Sequence, residues 1–397
     1  MLLLPLIFLL FASGFTQRVG DTCVERYTNT QGRCVPSDVC ISAREDLNNN
    51  GINPTFCSYS FDQALVCCRD GSSILRVADK RPVWSTSNSA NGNRQRRLSE
   101  RKCEEYSKNV IQTVDFLPLL PDPETHSISS AKCDYTKVEL IVGGENANQG
   151  EFPHMAAIGW VEDNSYVFLC GGSLISSRYV LTAGHCIKVP RRRPEGPSIV
   201  RLGDQNLDPN VQDRATPVDV PIKNIVPHPE YRPPGKYNDI ALLELHTDVD
   251  FETNIRPACL WTKPDFAKHS KVLATGWGVT DPNSRNPQTS KELQKVSLTL
   301  LQNSHCDRLL EDSRNRHWQG FAPTQMCAGE LRGGKDTCQG DSGSPLQVAS
   351  SENQCIFHIM GITSFGRKCA QSGKPAIYTR VSSYIGWIES VVWPGES

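Results

Sequence analysis

Residues 336–345 read DTCQGDSGSP. Ser342 stands between two glycines, with an aspartate before it and Cys338 a little upstream. Alone, Gly340-Asp341-Ser342-Gly343-Ser344-Pro345 reads as a turn, because glycine and proline punctuate chains. Two other stretches change that reading. Thr182-Ala183-Gly184-His185-Cys186 sets a histidine beside a cysteine, and Asn238-Asp239-Ile240-Ala241-Leu242-Leu243 sets an aspartate at the mouth of an apolar strand. Acyl transfer needs an activated hydroxyl, a base for its proton and a carboxylate to orient that base. It also needs donors for the oxyanion. Singly, the histidine reads as structural and the aspartate as a strand start. Together, in the order His185, Asp239, Ser342, with cysteines beside two of the three, they read as one catalytic constellation.

The bulk composition agrees with a secreted globular protein. The chain has 397 residues, of which 38% are hydrophobic, enough for a core. Its net charge of −1 carries no nucleic-acid footprint. There are 16 cysteines and no CxxC pair, only the adjacent Cys67-Cys68, so disulfides are expected and zinc is not. MLLLPLIFLLFASGF reads as a signal peptide covering about residues 1–16, with cleavage near Gly14 to Gln17. No later run is long and apolar enough for a membrane helix, so a secreted, extracellular protein without a membrane span is expected.

Three zones follow. Cys23, Cys34, Cys40, Cys57, Cys67 and Cys68 crowd residues 23–68. So small a module needs staples, and spacing alone does not choose among the fifteen pairings of six cysteines. Residues 69–140 are rich in Ser, Asn, Pro and Arg and read as an irregular linker, with a helical turn or two around Cys103-Glu104-Glu105-Tyr106. Within it, Arg94-Gln95-Arg96-Arg97 reads as a solvated charge run, with a convertase site as the alternative. From Ile141, β-branched and aromatic runs such as YVFLCGGSLI, DIALLEL and AIYTRV alternate with turn signals, the pattern of an all-β barrel or sandwich pair. Val381, Tyr384, Ile385, Ile388 and Val392 predict an amphipathic helix over 381–392.

Residues 141–397 resemble the catalytic domain of the S1 (chymotrypsin/trypsin-like) serine proteases, through IVGG, LTAGHC, NDIALLEL, ATGWG, MCAG, DTCQGDSGSP, SFG and PAIYTRV. The resemblance implies two six-stranded antiparallel barrels with a C-terminal helix and the site in the cleft between them. It implies that Ser342 is the nucleophile, His185 the base, Asp239 its orienting partner, and the N–H groups of Gly340 and Ser342 the oxyanion hole. It places Asp336 at the floor of a pocket for substrate Arg or Lys, walled by Gly366 and Ala376. Ala376 puts a methyl group where the family commonly has glycine, which bears on the choice between Arg and Lys. It also implies Cys170–Cys186, Cys306–Cys327 and Cys338–Cys369. Gly184 stands for the usual alanine, Ser344 for the second glycine and Phe365 for the usual tryptophan.

The same resemblance explains Ile141-Val142-Gly143-Gly144, which reads as a stored N-terminus. Cutting after Leu140 creates an α-ammonium that pairs with Asp341, so the chain reads as a zymogen. Leu140 is neither Arg nor Lys. An enzyme with Asp336 in its pocket is poorly suited to cut there, so the activating protease is expected to prefer an apolar residue.

Residues 23–68 resemble a clip domain, the module ahead of secreted arthropod serine proteases, which implies Cys23–Cys67, Cys34–Cys57 and Cys40–Cys68. The whole chain resembles the Snake/Persephone-like group of clip proteases. That group implies protein substrates, chiefly a downstream protease zymogen, in an extracellular cascade of immunity or development, with a serpin as inhibitor. The resemblance puts the light-chain tether at Cys133–Cys259, which leaves Cys103–Cys355, with the swapped pairing as the alternative. No cofactor is expected. A structural calcium in the loop Asp204–Asp213 is the one metal the resemblance suggests, although acidic residues are sparse there. Arg191-Arg192-Arg193 reads as a solvated loop, with an exosite as the alternative. The rival readings are a catalytically inactive clip-bearing cofactor, a digestive trypsin-like enzyme and a purely structural secreted protein.

Overall fold

Short apolar runs between turn residues become strands in the computed structural model of the chain. It describes residues 19–26, 30–37, 40, 42–43, 54–60, 63–69, 96–116, 126–131, 144–163, 165–190, 192, 194–211, 213, 215–266, 271–280, 288–333, 340–351, 353–366 and 372–396. The signal peptide, Cys133, Leu140, Ile141, Asp336, Cys338, Cys369, Arg191 and Arg193 lie outside these residues. The chain separates into two units, Met1–Asn91 and Gly92–Ser397.

The first unit holds β1 (Thr22–Val24), β2 (Gln31–Pro36), β3 (Phe56–Ser60) and β4 (Gln63–Arg69) in one sheet ordered β1-β2-β4-β3. Its small core is Val35, Cys40, Ala43, Val66 and Cys68. Of the fifteen pairings, the one that forms is Cys23–Cys67, Cys34–Cys57 and Cys40–Cys68, as the clip resemblance implies.

In the second unit, α1 (Leu98–Ser107), β5 (Ile111–Phe116) and β6 (His126–Ala131) precede β7 (Glu145–Asn146). Six strands then close a barrel: β8 (Met155–Glu162), β9 (Ser165–Leu174), β10 (Tyr179–Thr182), β11 (Ile199–Leu202), β12 (Val218–Pro227) and β13 (Ala241–Leu245), in the order β10-β13-β12-β11-β8-β9. After the short β14 (Cys259–Leu260) come β15 (Lys271–Gly276), β16 (Gln294–Leu301), α2 (Asn303–Leu309), β17 (Gln325–Gly329), β18 (Pro345–Ala349), β19 (Phe357–Phe365) and β20 (Ala376–Arg380). Here the order is β19-β18-β15-β16-β17-β20, and β20 pairs back with β19, closing a second six-stranded barrel. The two expected barrels are both present. Trp160, Ile158, Leu174, Leu181 and Leu242 belong to the larger core; Val272, Leu298, Met326, Leu346 and Tyr378 fill the second barrel. The expected C-terminal helix begins as a 3₁₀ turn, Val381–Ser383, and becomes α3 (Ile385–Val392), whose Ile385, Ile388 and Val392 are buried.

The linker is more ordered than its composition suggests. Helix α1 docks on α3 and β14. Leu98 enters the large core. Ser99 donates its backbone N–H (2.9 Å) and its hydroxyl (2.7 Å) to Glu389 on α3, which satisfies an N-terminal helix donor from another element. Lys102 meets Glu396 at 2.8 Å, and Trp393 donates its indole N–H to the Tyr106 oxygen at 3.2 Å. Strands β5 and β6 pair antiparallel within the same linker.

The docking of α1 corrects two cysteine pairings. Helix α1 lies along β14, so Cys259 bonds Cys103, with a Cα–Cα distance of 5.0 Å, and not Cys133. The expected Cys103–Cys355 bond is therefore excluded; Cys355 is disulfide-bonded to a partner outside the described residues. Cys170–Cys186 and Cys306–Cys327 form as the resemblance implies.

Candidate active site

The fold brings three chain turns to one cleft. Strand β10 ends at Thr182 and runs into a 3₁₀ turn, Gly184–Ile187, that carries His185. Asp239 stands two residues before the last strand of the first barrel, and Ser342 lies just before β18 of the second. His185, Gly340 and Ser342 line one open cleft of about 880 Å³, with Leu169, Cys170 and Trp277 among its walls. Cys186 beside the histidine is bonded to Cys170 of β9, which pins the His185 turn to the barrel.

The serine turn is built on glycines. Gly340 (φ +101°) and Gly343 (φ +80°) both adopt the left-handed region that favours glycine. At Gly343 a Cβ would fall 2.2 Å from the Thr182 Oγ1 and 2.5 Å from the Gly171 carbonyl oxygen. Ser344 N–H donates to the Asp341 carbonyl at 2.9 Å, closing the turn. Gly343 N–H donates to Thr363 O (2.9 Å), and Gly171 N–H to Ser342 O (2.8 Å), so both barrels hold the turn.

The base and its carboxylate are doubly tied. The His185 backbone N–H donates to Asp239 Oδ1 at 2.8 Å, and His185 Nδ1 lies 2.8 Å from Asp239 Oδ2. Asp239 is 1% exposed. Burial by itself would raise its carboxyl, but the facing His185 charge and the hydrogen bonds from His185 and Ser364 outweigh burial and hold it below the usual carboxylate range. A carboxylate there accepts only, so Nδ1 carries the proton and Nε2 is left as the base.

Ser364 is the residue that sequence reasoning missed. Its hydroxyl donates to Asp239 Oδ2 from the end of β19. The signal was present, because Ser364 opens the SFG run, but its partner lies 125 residues away.

The departures from the family pattern have local causes. At Gly184 a Cβ would lie 2.9 Å from the Tyr231 ring, so the tyrosine occupies the room of an alanine methyl group. Ser344 lies buried against Gly171 and Gly276, where a Cβ would fall 2.0 and 3.1 Å from its Oγ, so the absence of side chains there houses the extra hydroxyl. Phe365 packs edge-on to Trp318 at 5.7 Å, with Lys236 Nζ 5.4 Å from its centroid.

Gly366 and Ala376 adjoin: a Cβ on Gly366 would lie 3.9 Å from the Ala376 Cβ. Asp341 accepts the Gly278 N–H at 2.8 Å, and its carboxylate lodges against Gly276 and Gly278. Beside the loop Asp204–Asp213, the Arg201 guanidinium of β11 takes Asp219 of β12 at 2.7 and 2.8 Å and Asp204 at 3.4 Å. Among the described residues, no group of three metal-capable side chains gathers in this loop.

Comparison with known proteins agrees with this geometry. The Trypsin family model matches residues 141–388. The serine protease snk of Drosophila melanogaster is 35% identical over 379 residues, covering 94% of this chain and 79% of that protein. The proclotting enzyme of Tachypleus tridentatus is 29% identical over 374 residues, 93% of this chain and 89% of its own. The CLIP domain-containing serine protease B4 of Anopheles gambiae is 33% identical over 312 residues, 75% of this chain and 82% of its own. With two closed barrels, a disulfide-stapled amino-terminal sheet and these relatives, the chain belongs to the trypsin family of serine proteases, among its clip-domain members.

Proposed function

We propose that this chain is the zymogen of a secreted endopeptidase, activated by cleavage between Leu140 and Ile141, that then cuts after Arg or Lys in a downstream protein of an extracellular cascade. The observation that carries the reading is the two-point His185–Asp239 pair at the cleft that also holds Ser342 and Gly340.

In the reaction, Ser342 Oγ attacks the scissile carbonyl while His185 Nε2 takes its proton. Asp239 accepts from Nδ1–H and stabilises the imidazolium. The oxyanion receives the N–H groups of Gly340 and Ser342, each such donor being worth about 3 kcal/mol of transition-state stabilisation. Collapse expels the leaving amine, which takes the proton from Nε2. Water, deprotonated by His185, then releases the acyl group from Ser342 and restores its hydroxyl.

The family resemblance puts Asp336 at the floor of the specificity pocket, and a carboxylate in such a pocket calls for a cationic partner. Gly366 and Ala376 adjoin as the two walls would. After cleavage, the Ile141 ammonium pairs with Asp341, whose carboxylate already rests against the Gly276–Gly278 backbone. The disulfides support an extracellular setting. The name of the Tachypleus relative, a proclotting enzyme, supports a place in a cascade.

The test is labelling by a fluorophosphonate probe before and after cleavage, with Ile141 confirmed as the new terminus. Labelling of Ser342 only after cleavage, together with hydrolysis of Arg and Lys substrates, is expected. A correctly cut protein that neither labels nor hydrolyses them refutes the reading and leaves the inactive cofactor.

A further inference from the structure

Asn238, the residue before Asp239, has φ +54°, an uncommon left-handed conformation for a residue with a side chain. The Ile240 N–H donates to the Asn238 carbonyl at 2.9 Å, a three-residue turn with Asp239 at its apex. Such a turn costs energy and persists only when its surroundings hold it. Two contacts do so. Thr379 Oγ1 donates to the Asp239 carbonyl at 2.8 Å, from β20. Tyr384 donates its hydroxyl to Asn238 Oδ1 at 2.8 Å.

Tyr384 is itself immobilised. It is buried at the head of α3, and His228 stands edge-on to its ring at 5.0 Å. Burial pushes its hydroxyl up to about 12, so it remains a donor at any pH where a histidine base works.

We propose that Tyr384 is a positioning residue for Asp239: by holding the Asn238 side chain it keeps the strained turn in place, and through it the carboxylate that orients His185. The inference rests on the proposed role of Asp239. The turn carries two constraints that are independent of packing, a backbone angle and a hydrogen bond. They predict different outcomes for different substitutions.

The experiment uses the full-length enzyme cleaved after Leu140. In Tyr384→Phe the ring stays and the hydroxyl goes. kcat is expected to fall about tenfold, the factor equivalent to one net hydrogen bond, with KM unchanged within about twofold. A displaced Asp239 stabilises imidazolium less, so the acid limb of the kcat/KM profile should move to lower pH. Asn238→Gly removes the acceptor but fits φ +54° without strain, whereas Asn238→Ala loses both, so the alanine variant should be the slower. Adding Tyr384→Phe to Asn238→Gly should cost nothing further.

A Tyr384→Phe enzyme with wild-type kcat and an unmoved acid limb overturns the inference, as does full additivity with Asn238→Gly. Asp239→Asn separates the two levels. If it loses activity by orders of magnitude while Tyr384→Phe does not, the triad stands and the positioning role fails. If Asp239→Asn is fully active, the triad reading fails and the positioning role with it.

Discussion

Lys295 Nζ lies 2.9 and 3.0 Å from the two carboxylate oxygens of Glu151, with the lysine side chain 4% exposed and the glutamate 0%. The same ammonium reaches Glu145 at 3.0 Å. Burial alone would lower the Lys295 ammonium, but its hydrogen bonds to Glu151 and Glu145 reverse the sign and raise it. The pair ties residues 145–151, just downstream of Ile141, to β16, where β7 already adds a strand. Lys295→Met should strand a buried carboxylate, a loss of about 3–5 kcal/mol. The double variant Lys295→Met, Glu151→Met should recover much of it, since paired apolar replacements are often near neutral. Urea unfolding of all three proteins is the measurement. A single variant within about 1 kcal/mol of wild type would show the pair to be solvated.

His154 carries an acid sensitivity. It is 1% exposed, between Phe152 and Phe357, and burial lowers it from 6.5 to about 4. The folded protein therefore favours the neutral ring, while the unfolded chain binds a proton near 6.5. Stability from this group is complete above 6.5 and is lost as pH falls from 6.5 towards 4, where the loss levels off at about 3 kcal/mol. Denaturation midpoints from pH 7.5 to 4 should fall more steeply in wild type than in His154→Leu. Parallel slopes would show that His154 does not titrate with folding.

The candidate trio of His185, Asp239 and Ser342 could be picked out because its signals are local: a histidine beside Cys186, an aspartate before an apolar strand and a serine between glycines. The two six-stranded barrels, and Gly366 with Ala376 as neighbours, followed from the family resemblance that such short motifs carry. What escaped is spatial. Ser364 and Tyr384 hydrogen-bond to Asp239 and Asn238, 125 and 146 positions away; the SFG run marks the stretch around Ser364, but no local signal names either partner. The choice of Cys103 over Cys133 for Cys259 depended on where α1 docks, to which Glu389 contributes from 290 residues downstream of Ser99. Composition read residues 69–140 as mostly irregular with a helical turn or two around Cys103–Tyr106; that turn is part of α1, whose N-terminal end is held from outside its own sequence.

Glu389 should hold the light-chain helix after activation. Its Oε1 accepts both the backbone N–H and the hydroxyl of Ser99. Glu389→Ala should cost about 1–2 kcal/mol, the loss typical of a helix cap, and Ser99→Ala less, because the backbone donor remains. Hydrogen exchange at residues 98–101 reads this directly. Faster exchange in Glu389→Ala than in Ser99→Ala is expected, and equal, unchanged rates in both would show that the Cys103–Cys259 bond alone holds the helix.

Leu140 and Asp336 set the order of events in the proposed cascade. A pocket ending in a carboxylate gains little from leucine, so the activated enzyme should not cut its own zymogen efficiently. Trypsin would instead cut at Lys137, leaving Val138-Glu139-Leu140 ahead of Ile141 and the new charge three residues from where Asp341 needs it. Leu140→Arg should remove the mismatch. A trace of active enzyme added to that zymogen should then give a sigmoidal rise in hydrolysis of an Arg substrate, the signature of self-amplification, while the wild-type zymogen stays flat. Wild-type zymogen should respond to a chymotrypsin-like protease, with Ile141 found as the new terminus. Rapid full activation of wild type by trypsin, or equal self-activation of the two zymogens, would show that Leu140 does not separate the activator from the enzyme.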